Sequence, residues 1–292
     1  MENRVLKSPP SILPLYARAA APLIPGAGRL PFLPGGGGEI PELELTLERV
    51  GAEAEDVAAY NKVCGFTLRD HLPPTYPHVL AFPLHMAVMA DSAFPFGAVG
   101  LVHLENRIVQ HRPIGIGEEI SLRVRPTPLQ PHPKGRTFSL LTEARAGEGL
   151  AWESTSTMLR RGGGSGESRS YAERTPGEGG DRAASAEWRL GGDLGRRYAS
   201  VSGDRNPIHM HSLTAMPLGF PAAIAHGMWT KASCLAALES RLPDAFAVEV
   251  AFRRPILLPG KVEFSSRDED ATIEFAVRDA KKHTPHLEGN LK

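Results

Sequence analysis

The sequence contains little cysteine and carries no net charge. Its 292 residues include two cysteines, Cys64 and Cys234, which lie far apart and suit small buried side chains in a reducing compartment. The 33 Lys and Arg residues balance 33 Asp and Glu residues, and no basic run stands out. Because nucleic acids are bound through basic surfaces, this balance argues against a nucleic-acid partner.

Long hydrophobic runs are also missing. The apolar stretch from Ala222 to Leu238 is shorter than the roughly 20 residues of a membrane-spanning helix, and it contains His226 and Lys231. The first 25 residues are interrupted by prolines and by Arg18, so they fit neither a secretion signal nor a membrane anchor. We therefore expect a cytoplasmic protein without a membrane span.

Four segments follow one another along the chain. Residues 1–41 are rich in proline and glycine and predict an arm that is poorly ordered or lies on the surface, with one or two helical turns around Leu13 to Ala21. Residues 161–186 offer almost nothing to bury and predict a linker. Residues 42–160 and 187–292 both predict helices followed by several strands. This order is expected for two α+β domains in which a sheet wraps around one long helix.

An acid and an imidazole lie five residues apart after the helix predicted from Leu190 to Val201. Gly203-Asp204 and Asn206-Pro207 are turn-favouring pairs, so a tight loop supported by Asn206 should direct Asp204 and His209 to one point. A carboxylate and an imidazole directed at one water molecule can move a hydroxide and a proton, with pKa values that burial adjusts. We predict Asp204 and His209 as catalytic residues.

The start of the next helix offers a third catalytic group. Apolar residues at helical spacing predict a buried helix that begins near Gly227. A glycine there leaves its backbone N–H uncovered, and the positive end of the helix dipole lies behind it. Such an N–H is suited to stabilise a thioester oxygen that gains negative charge, so Gly227 is the predicted oxyanion hole.

These residues resemble the signature of the (R)-specific enoyl-CoA hydratases, also called hydratase 2 or MaoC-like dehydratases. The matching residues are Tyr198, Gly203-Asp204, Asn206-Pro207-Ile208-His209 and His226-Gly227. The resemblance implies a hot-dog fold in which Asp204 and His209 carry the acid and base chemistry and the Gly227 N–H forms the oxyanion hole. It also implies reversible syn hydration of trans-2-enoyl thioesters of CoA or acyl carrier protein, with no redox or metal cofactor.

Identical residues 138 positions apart indicate a duplication, and so predict a double hot-dog. The pairs are Tyr60 and Tyr198, Val63 and Val201, Gly65 and Gly203, His71 and His209, Phe82-Pro83 and Phe220-Pro221, and Ala87 and Ala225. Three positions of the motif differ at this register: Phe66 takes the place of Asp204, Leu68 that of Asn206 and Met89 that of Gly227. We therefore expect residues 42–160 to be a degenerate copy that shelters the acyl chain in an apolar pocket, and residues 187–292 to be the catalytic copy.

Other polar residues allow two interpretations each. Arg253 and Arg254 suit contacts with CoA phosphates, although a structural role at a strand end is the more common one, and Lys231 raises the same question. His71 beside Asp70 could form a second site, but we expect a structural role. His226 lacks further ligands at a spacing typical of zinc sites, so no metal site is predicted.

Two other functions on the same fold remain open. A non-catalytic acyl-thioester-binding protein would not need Asp204, Asn206 or His209. A thioesterase would need a nucleophile or base on the long helix, which has no carboxylate before Glu239. The leading prediction is a hydro-lyase, either a monomeric pseudo-dimer or a homodimer. The non-functional interpretation is that the motif consists of ordinary turn residues, with His209 as a surface or capping residue.

Overall fold

The fold is described by a computed structural model for residues 2–20, 34–35, 37–147, 149–162 and 184–292. Within these ranges twelve strands form one sheet. The strands are β1 (Glu2–Leu6), β2 (Leu43–Val50), β3 (Val102–Gln110), β4 (Ile120–Pro126), β5 (Gln130–His132), β6 (Gly135–Ala146), β7 (Gly149–Arg161), β8 (Ala186–Leu190), β9 (Phe246–Phe252), β10 (Gly260–Glu269), β11 (Thr272–Asp279) and β12 (Pro285–Leu291). The α-helices are α1 (Ile12–Ala20), α2 (Ala54–Cys64), α3 (Tyr76–Met89), α4 (Leu194–Ser202), α5 (Pro207–Met210), α6 (Ser212–Ala215) and α7 (Gly227–Ala237).

The sheet runs continuously through both halves of the chain. Its order is β1-β2-β4-β6-β7-β3-β9-β12-β11-β10-β8, and β5 pairs with β6. The halves meet where β3 and β9 pair in antiparallel fashion, with Glu105 opposite Ala251 and Gln110 opposite Phe246. The pairing of β1 with β2 is parallel. This arrangement confirms the predicted α+β architecture of two sheet-and-helix units side by side.

Alternation of side chains along the strands creates the core. In β4 the buried residues Ile120, Leu122 and Val124 alternate with more exposed polar ones. They lie on the face that packs against α3, which also contacts β2 and β6. Full burial of such side chains contributes about 1.5–3 kcal/mol each. In the second half, α7 has eight consecutive buried residues from Met228 to Leu235, as expected for a helix enclosed by a sheet.

A buried lysine joins the two halves at their seam. Lys231 of α7 has no exposed surface, and its Nζ donates hydrogen bonds to the Asn106 Oδ1 (2.6 Å), the Asn106 carbonyl (3.1 Å) and the Val248 carbonyl (3.3 Å). Asn106 lies on β3 and Val248 on β9, so the lysine bridges the central strand pair. Burial lowers the pKa of Lys231 well below its usual value. The interpretation of Lys231 as a CoA phosphate contact is therefore wrong.

The duplication register holds only as far as the first helix of each copy. Gly65 ends α2 with φ 94° and Gly203 ends α4 with φ 74°, a conformation that favours glycine at both equivalent positions. Beyond this point Phe82-Pro83 lies inside α3, whereas Phe220-Pro221 lies in the loop before α7.

Met89 is therefore not the counterpart of Gly227. Met89 ends α3, whereas Gly227 begins α7. The physical reason is the length of the connection between the two helices, which spans residues 66–75 in the first copy and 204–226 in the second. The longer connection of the second copy contains α5 and α6, with Asp204 before α5 and His209 on it.

The N-terminal segment is more structured than its composition indicates. The helix predicted around Leu13 to Ala21 is confirmed as α1, but β1 was not predicted, and it extends the sheet beside β2. Residues 2–20 form regular structure and are mostly exposed, so of the two predicted alternatives the surface arm describes this segment and the poorly ordered arm does not. Residues 21–33 lie outside the described part of the chain.

Two boundaries around the predicted linker also differ. Residues 163–183, most of the linker proposed for 161–186, lie outside the described residues. Arg161 still belongs to β7 and Ala186 begins β8, and the segment predicted as helical from Leu190 becomes helical only at Leu194. Among the described helices, none has the combined length and hydrophobicity that crossing a membrane requires.

Candidate active site

Two glycines allow the segments around the acid and imidazole loop to approach closely. A Cβ at Gly195 of α4 would lie 1.9 Å from the His209 carbonyl oxygen, so α5 packs directly on the α4 backbone at this point. A Cβ at Gly203 would lie 2.7 Å from the Ile12 Cδ1 of α1, and its positive φ also disfavours any other residue. The loop is therefore enclosed by α4 on one side and α1 on the other.

Asn206 and Pro207 start the short helix that presents His209. The Asn206 Oδ1 accepts a hydrogen bond from the Ile208 N–H at 3.4 Å, and Pro207 occupies the first helical position, where its missing N–H costs nothing. His209 is buried, and its Nδ1–H donates to the Ile224 carbonyl at 2.8 Å. Because a carbonyl only accepts, Nδ1 carries the proton and Nε2 keeps a lone pair for chemistry.

The carboxylate of Asp204 is held through one of its oxygens. Oδ1 accepts hydrogen bonds from the Tyr16 hydroxyl at 2.8 Å and from the Asn206 N–H at 3.1 Å. Oδ2 lies 3.8 Å from the His226 Nε2, and the Asp204 side chain remains 28% exposed. The exposed fraction and the unequal use of the two oxygens leave Oδ2 available to a ligand in the adjoining cavity.

His226 is a buried third member of the cluster. Its Nε2–H donates to the Asp204 carbonyl at 3.0 Å, and its ring stacks on that of His209 with centroids 3.7 Å apart. The sequence motif includes His226 but does not indicate what it does. Through these two contacts His226 holds the Asp204 backbone in place and packs against the His209 ring.

The charges of the cluster follow from burial and from mutual contacts. Burial alone would raise the pKa of Asp204, but the nearby His226 and His209, the Tyr16 hydroxyl and the Asn206 N–H together lower it. Burial lowers the pKa of His209, and it lowers the pKa of His226 to about 3. At neutral pH the site therefore holds one carboxylate and two uncharged imidazoles.

Gly227 begins α7 directly beside this cluster. As the first helical residue it has an N–H without an acceptor inside the helix, at the positive end of the helix dipole. A Cβ at Gly227 would lie 3.0 to 3.2 Å from three ring atoms of Phe252. Glycine thus lets the Phe252 ring pack against the start of the helix, and it keeps the N–H uncovered.

A cavity of about 240 Å³ adjoins all of these groups. Its wall includes Asp204, Asn206, His209 and Gly227, so the structure brings all four residues of the predicted motif together. The wall continues into the first half of the chain through apolar residues of α3, β6 and β7: Val79, Phe82, Met89, Leu140 and Met158. One continuous space therefore connects the acid and imidazole loop with the interior of the other half.

The apolar pocket predicted for the first half has a different lining from the one expected. Phe66 is buried in the core against Tyr60, and Leu68 is 74% exposed, so neither lines the cavity, whereas Met89 does. Helix α3 packs against β2, β4 and β6 and reaches the cavity, whereas no residue of the connection 66–75 lines it. His71 pairs with the exposed Asp70 at 2.8 Å and lies outside this cavity, which favours its structural interpretation.

Three histidines on the part of the cavity wall that the first half forms were missed from the sequence. His78 and His85 lie two helical turns apart on one face of α3, with ring centroids 5.0 Å apart, and His103 lies on β3. The His85 Nε2 forms a hydrogen bond of 2.8 Å with the Thr142 hydroxyl. The seven-residue spacing of His78 and His85 was a signal in the sequence that both lie on one face of a helix. The wall of the first half is consequently less apolar than predicted.

The two arginines at the end of β9 differ in their surroundings. Arg253 is paired with Glu288 through its Nε and a terminal nitrogen, both at 2.8 Å, and is largely buried. Arg254 is exposed and lines the cavity at its rim. Both predicted phosphate contacts line the cavity, but Arg254 has the more exposed side chain, while Arg253 is engaged in an ion pair with Glu288.

The cluster also has the spacing of a metal site. Asp204, His209 and His226 each offer a ligand atom, and these atoms lie within 4.8 Å of one another. The sequence did not reveal the cluster because the loop and the start of α7 are brought together only by folding. The same ring lone pairs can instead accept protons, so the expectation that no metal is needed stays a prediction.

Comparisons with known proteins place the chain in a family. Residues 179–290 match the family described as MaoC like domain. The chain is 36% identical over 285 residues to 3-hydroxyacyl-thioester dehydratase X of Mycobacterium tuberculosis, with 97% of this chain and 98% of that protein covered.

Two solved structures from the same organism extend the comparison. The crystal structure of HtdX is 34% identical, has a TM-score of 0.76, and is matched over 85% of this chain and 98% of that one. A conserved hypothetical protein described as having a double hot-dog fold has a TM-score of 0.51 at 13% identity, over 88% of this chain and 98% of that one, and bears on the fold alone. The predicted double hot-dog is confirmed, and the chain belongs to the MaoC-like dehydratases, which are hydro-lyases.

Proposed function

We propose that this protein catalyses the reversible syn hydration of trans-2-enoyl thioesters to (R)-3-hydroxyacyl thioesters. The observation that supports this most directly is the placement of Asp204, His209 and the Gly227 N–H on one wall of a single cavity. A carboxylate oxygen and a ring nitrogen less than 4.8 Å apart can both hydrogen-bond to one water molecule.

The chemistry needs one water and one oxyanion site. The C2–C3 double bond is conjugated to the thioester carbonyl, so attack of the water oxygen at C3 moves an electron pair toward the carbonyl oxygen. The Gly227 N–H would stabilise that oxygen, as helix N-termini do for developing anions. Asp204 and His209 accept the proton that the water loses and return a proton to C2. Because both the hydroxyl and the proton come from the same side, the addition is syn.

Dehydration uses the same groups in reverse. The pair removes the C2 proton of a 3-hydroxyacyl thioester and protonates the departing 3-hydroxyl, and the double bond forms between C2 and C3. Asp204 and His209 interact strongly, so the site titrates as a pair and either residue can hold the proton between the two steps. The name of the relative dehydratase X agrees with this direction.

The substrate chain and its carrier are assigned to opposite ends of the cavity. The apolar residues of α3, β6 and β7 suit an acyl tail, because each buried methylene contributes up to about 0.8 kcal/mol. Arg254 at the rim suits a phosphate of CoA or of the phosphopantetheine of acyl carrier protein. This division assigns catalysis to residues 187–292 and chain binding to residues 42–160.

The two alternatives are less well supported by the same geometry. A thioesterase would need a base or nucleophile on the central helix, and α7 contains no carboxylate. A binding protein would need the cavity but not the ordered hydrogen bonds that fix the Asp204 carboxylate and the His209 tautomer. Such orientation of an acid and an imidazole is a feature of catalysis.

Purified protein incubated with crotonyl-CoA tests the proposal. We expect loss of the enoyl-thioester absorbance, formation of (R)-3-hydroxybutyryl-CoA, and activity that survives dialysis against a chelator. Release of free CoA without hydration would indicate a thioesterase, and binding without turnover would indicate a binding protein. Formation of the (S) product would contradict the stereochemical part of the proposal.

Filling the inner cavity should change the chain-length preference. We expect Met89→Trp to lower kcat/KM for long trans-2-enoyl-CoA substrates by about fourfold for each methylene group that is excluded, while crotonyl-CoA is spared. The measurement is kcat/KM over a series of increasing chain lengths. Leu68→Trp is the control, because Leu68 is 74% exposed and lies outside the cavity. An equal loss at every chain length would show that the first half has only a structural role.

A further inference from the structure

The N-terminal segment is attached to the body of the protein at two places. Strand β1 pairs with β2, where Glu2 lies opposite Leu43 and Leu6 opposite Leu47. Helix α1 packs against α3, and Leu15 is buried in the core. These contacts place α1 against the loop that contains Asp204, although Tyr16 of α1 and Asp204 are almost 190 residues apart in sequence.

Tyr16 is the residue of α1 that reaches the catalytic loop. Its hydroxyl donates a hydrogen bond of 2.8 Å to the Asp204 Oδ1 and accepts one of 2.8 Å from the Arg205 N–H. Both bonds are within the optimal range, and the first is made to a charged acceptor, which strengthens it. The hydroxyl is therefore fixed between the backbone and the carboxylate of consecutive residues.

We propose that Tyr16 is a positioning residue for Asp204 and that α1 completes the active site. This inference rests on the proposed catalytic role of Asp204. With Oδ1 engaged by Tyr16 and by the Asn206 N–H, rotation of the carboxylate is blocked and Oδ2 is presented to the cavity. The phenol also favours the ionised form of the carboxylate, because it donates to the charged acceptor.

Tyr16 does not take part in proton transfer itself. Its hydroxyl proton is directed at Oδ1, away from the oxygen that is free for a ligand, and Tyr16 is not among the residues that line the cavity. Burial, followed by the Asp204 charge, raises the pKa of the phenol, so the group stays protonated and acts as a fixed donor. Its effect on turnover is therefore transmitted entirely through Asp204.

Replacing Tyr16 by phenylalanine tests this inference, because the ring that docks α1 is kept and only the hydroxyl is removed. We expect kcat for crotonyl-CoA hydration to fall about 10- to 100-fold, the effect of losing a hydrogen bond to a charged group, with KM and the melting temperature little changed. Tyr76→Phe is the matched control, since Tyr76 is a buried tyrosine of α3 that lies outside the cavity.

Two further measurements separate positioning from a general structural role. In an Asp204→Asn background, Tyr16→Phe should have almost no additional effect, because residues that act through one group are not additive. A carbon NMR titration of the Asp204 carboxyl should give a higher pKa in Tyr16→Phe than in the unmodified protein. Full additivity with Asp204→Asn, or an unchanged kcat and carboxyl pKa, would overturn the inference.

The outcome is distinguishable from failure of the proposed reaction. If the unmodified protein does not hydrate enoyl thioesters, the proposed function fails and the carboxyl titration still reports whether Tyr16 stabilises the ionised Asp204. If the unmodified protein is active and Tyr16→Phe matches it in kcat, the reaction stands and the positioning role is rejected.

Discussion

Asp204→Asn and His209→Ala are each expected to lower kcat for enoyl-thioester hydration by about 10²–10⁴-fold, the usual contribution of a positioned acid or base. The asparagine can still accept the hydrogen bonds that Asp204 receives from Tyr16 and Asn206, so the loop should keep its shape while the charge is lost. His209→Ala removes the lone pair at Nε2 and the stacking partner of His226.

The double variant should be little worse than the more damaging single one. Both residues act on one water molecule in the proposed mechanism. Once the first residue is replaced, replacing the second should therefore cause little further loss of activity. Steady-state kinetics with crotonyl-CoA, together with the melting temperature of each variant, provide the measurement.

A matched control comes from the other half of the chain. His71 lies 138 positions before His209, in the shorter connection of the first copy, and it is partly exposed, pairs with Asp70 and lies outside the cavity. We expect His71→Ala to retain nearly full activity. Near-normal turnover in a folded Asp204→Asn or His209→Ala protein would contradict the proposed catalytic roles of Asp204 and His209.

Acidification from about pH 7 to about pH 5 is expected to destabilise the fold by several kcal/mol. Burial lowers the pKa of His85 to about 3, that of His103 to about 4 and that of His226 to about 3. An unfolded chain has histidines with a pKa of about 6.5. Between these values the unfolded state binds more protons than the folded state, so the free energy of unfolding decreases as the pH falls.

The size of the effect follows from the difference between the solution pH and the histidine pKa in the unfolded chain. At about pH 5 each such histidine lowers the free energy of unfolding by about 2 kcal/mol, and three of them by about 6 kcal/mol. The loss begins as the pH falls through about 6.5 and continues down to the folded pKa values. His78 and His209 have lowered pKa values for the same reason and act in the same direction.

Urea unfolding at several pH values measures this dependence. We expect His103→Gln to reduce the slope of stability against pH, because it removes one of the groups that takes up a proton on unfolding. His283→Gln is the control, since the His283 side chain is 66% exposed. A free energy of unfolding that is equal at the two pH values would show that these imidazoles are not held neutral.

Local sequence patterns were sufficient for the helix that begins at Gly227 and for the turn that carries the motif. The helical spacing after Gly227 predicted a helix at the right place, because a buried face imposes its period on the sequence. Asn206-Pro207 predicted the loop correctly, since capping and a fixed φ act within a few residues.

The duplication could be followed only while the two copies kept the same length. Gly65 and Gly203 end equivalent helices because both positions need a positive φ, a local requirement that the sequence preserves. Beyond them the second copy has a longer connection, and the match of Phe82-Pro83 to Phe220-Pro221 aligned a helix with a loop. Identity at one fixed register does not reveal an insertion.

By itself, the sequence determined the type of fold and the residues of the Asp204, Asn206, His209 and Gly227 motif, because all four depend on turns and helix ends that neighbouring residues specify. Only the tertiary structure decided that Tyr16 contacts Asp204, that Lys231 is enclosed at the seam, and which side chains line the cavity. Those contacts join residues far apart in the chain, and their partners are set by strand order and helix packing, which no local pattern encodes.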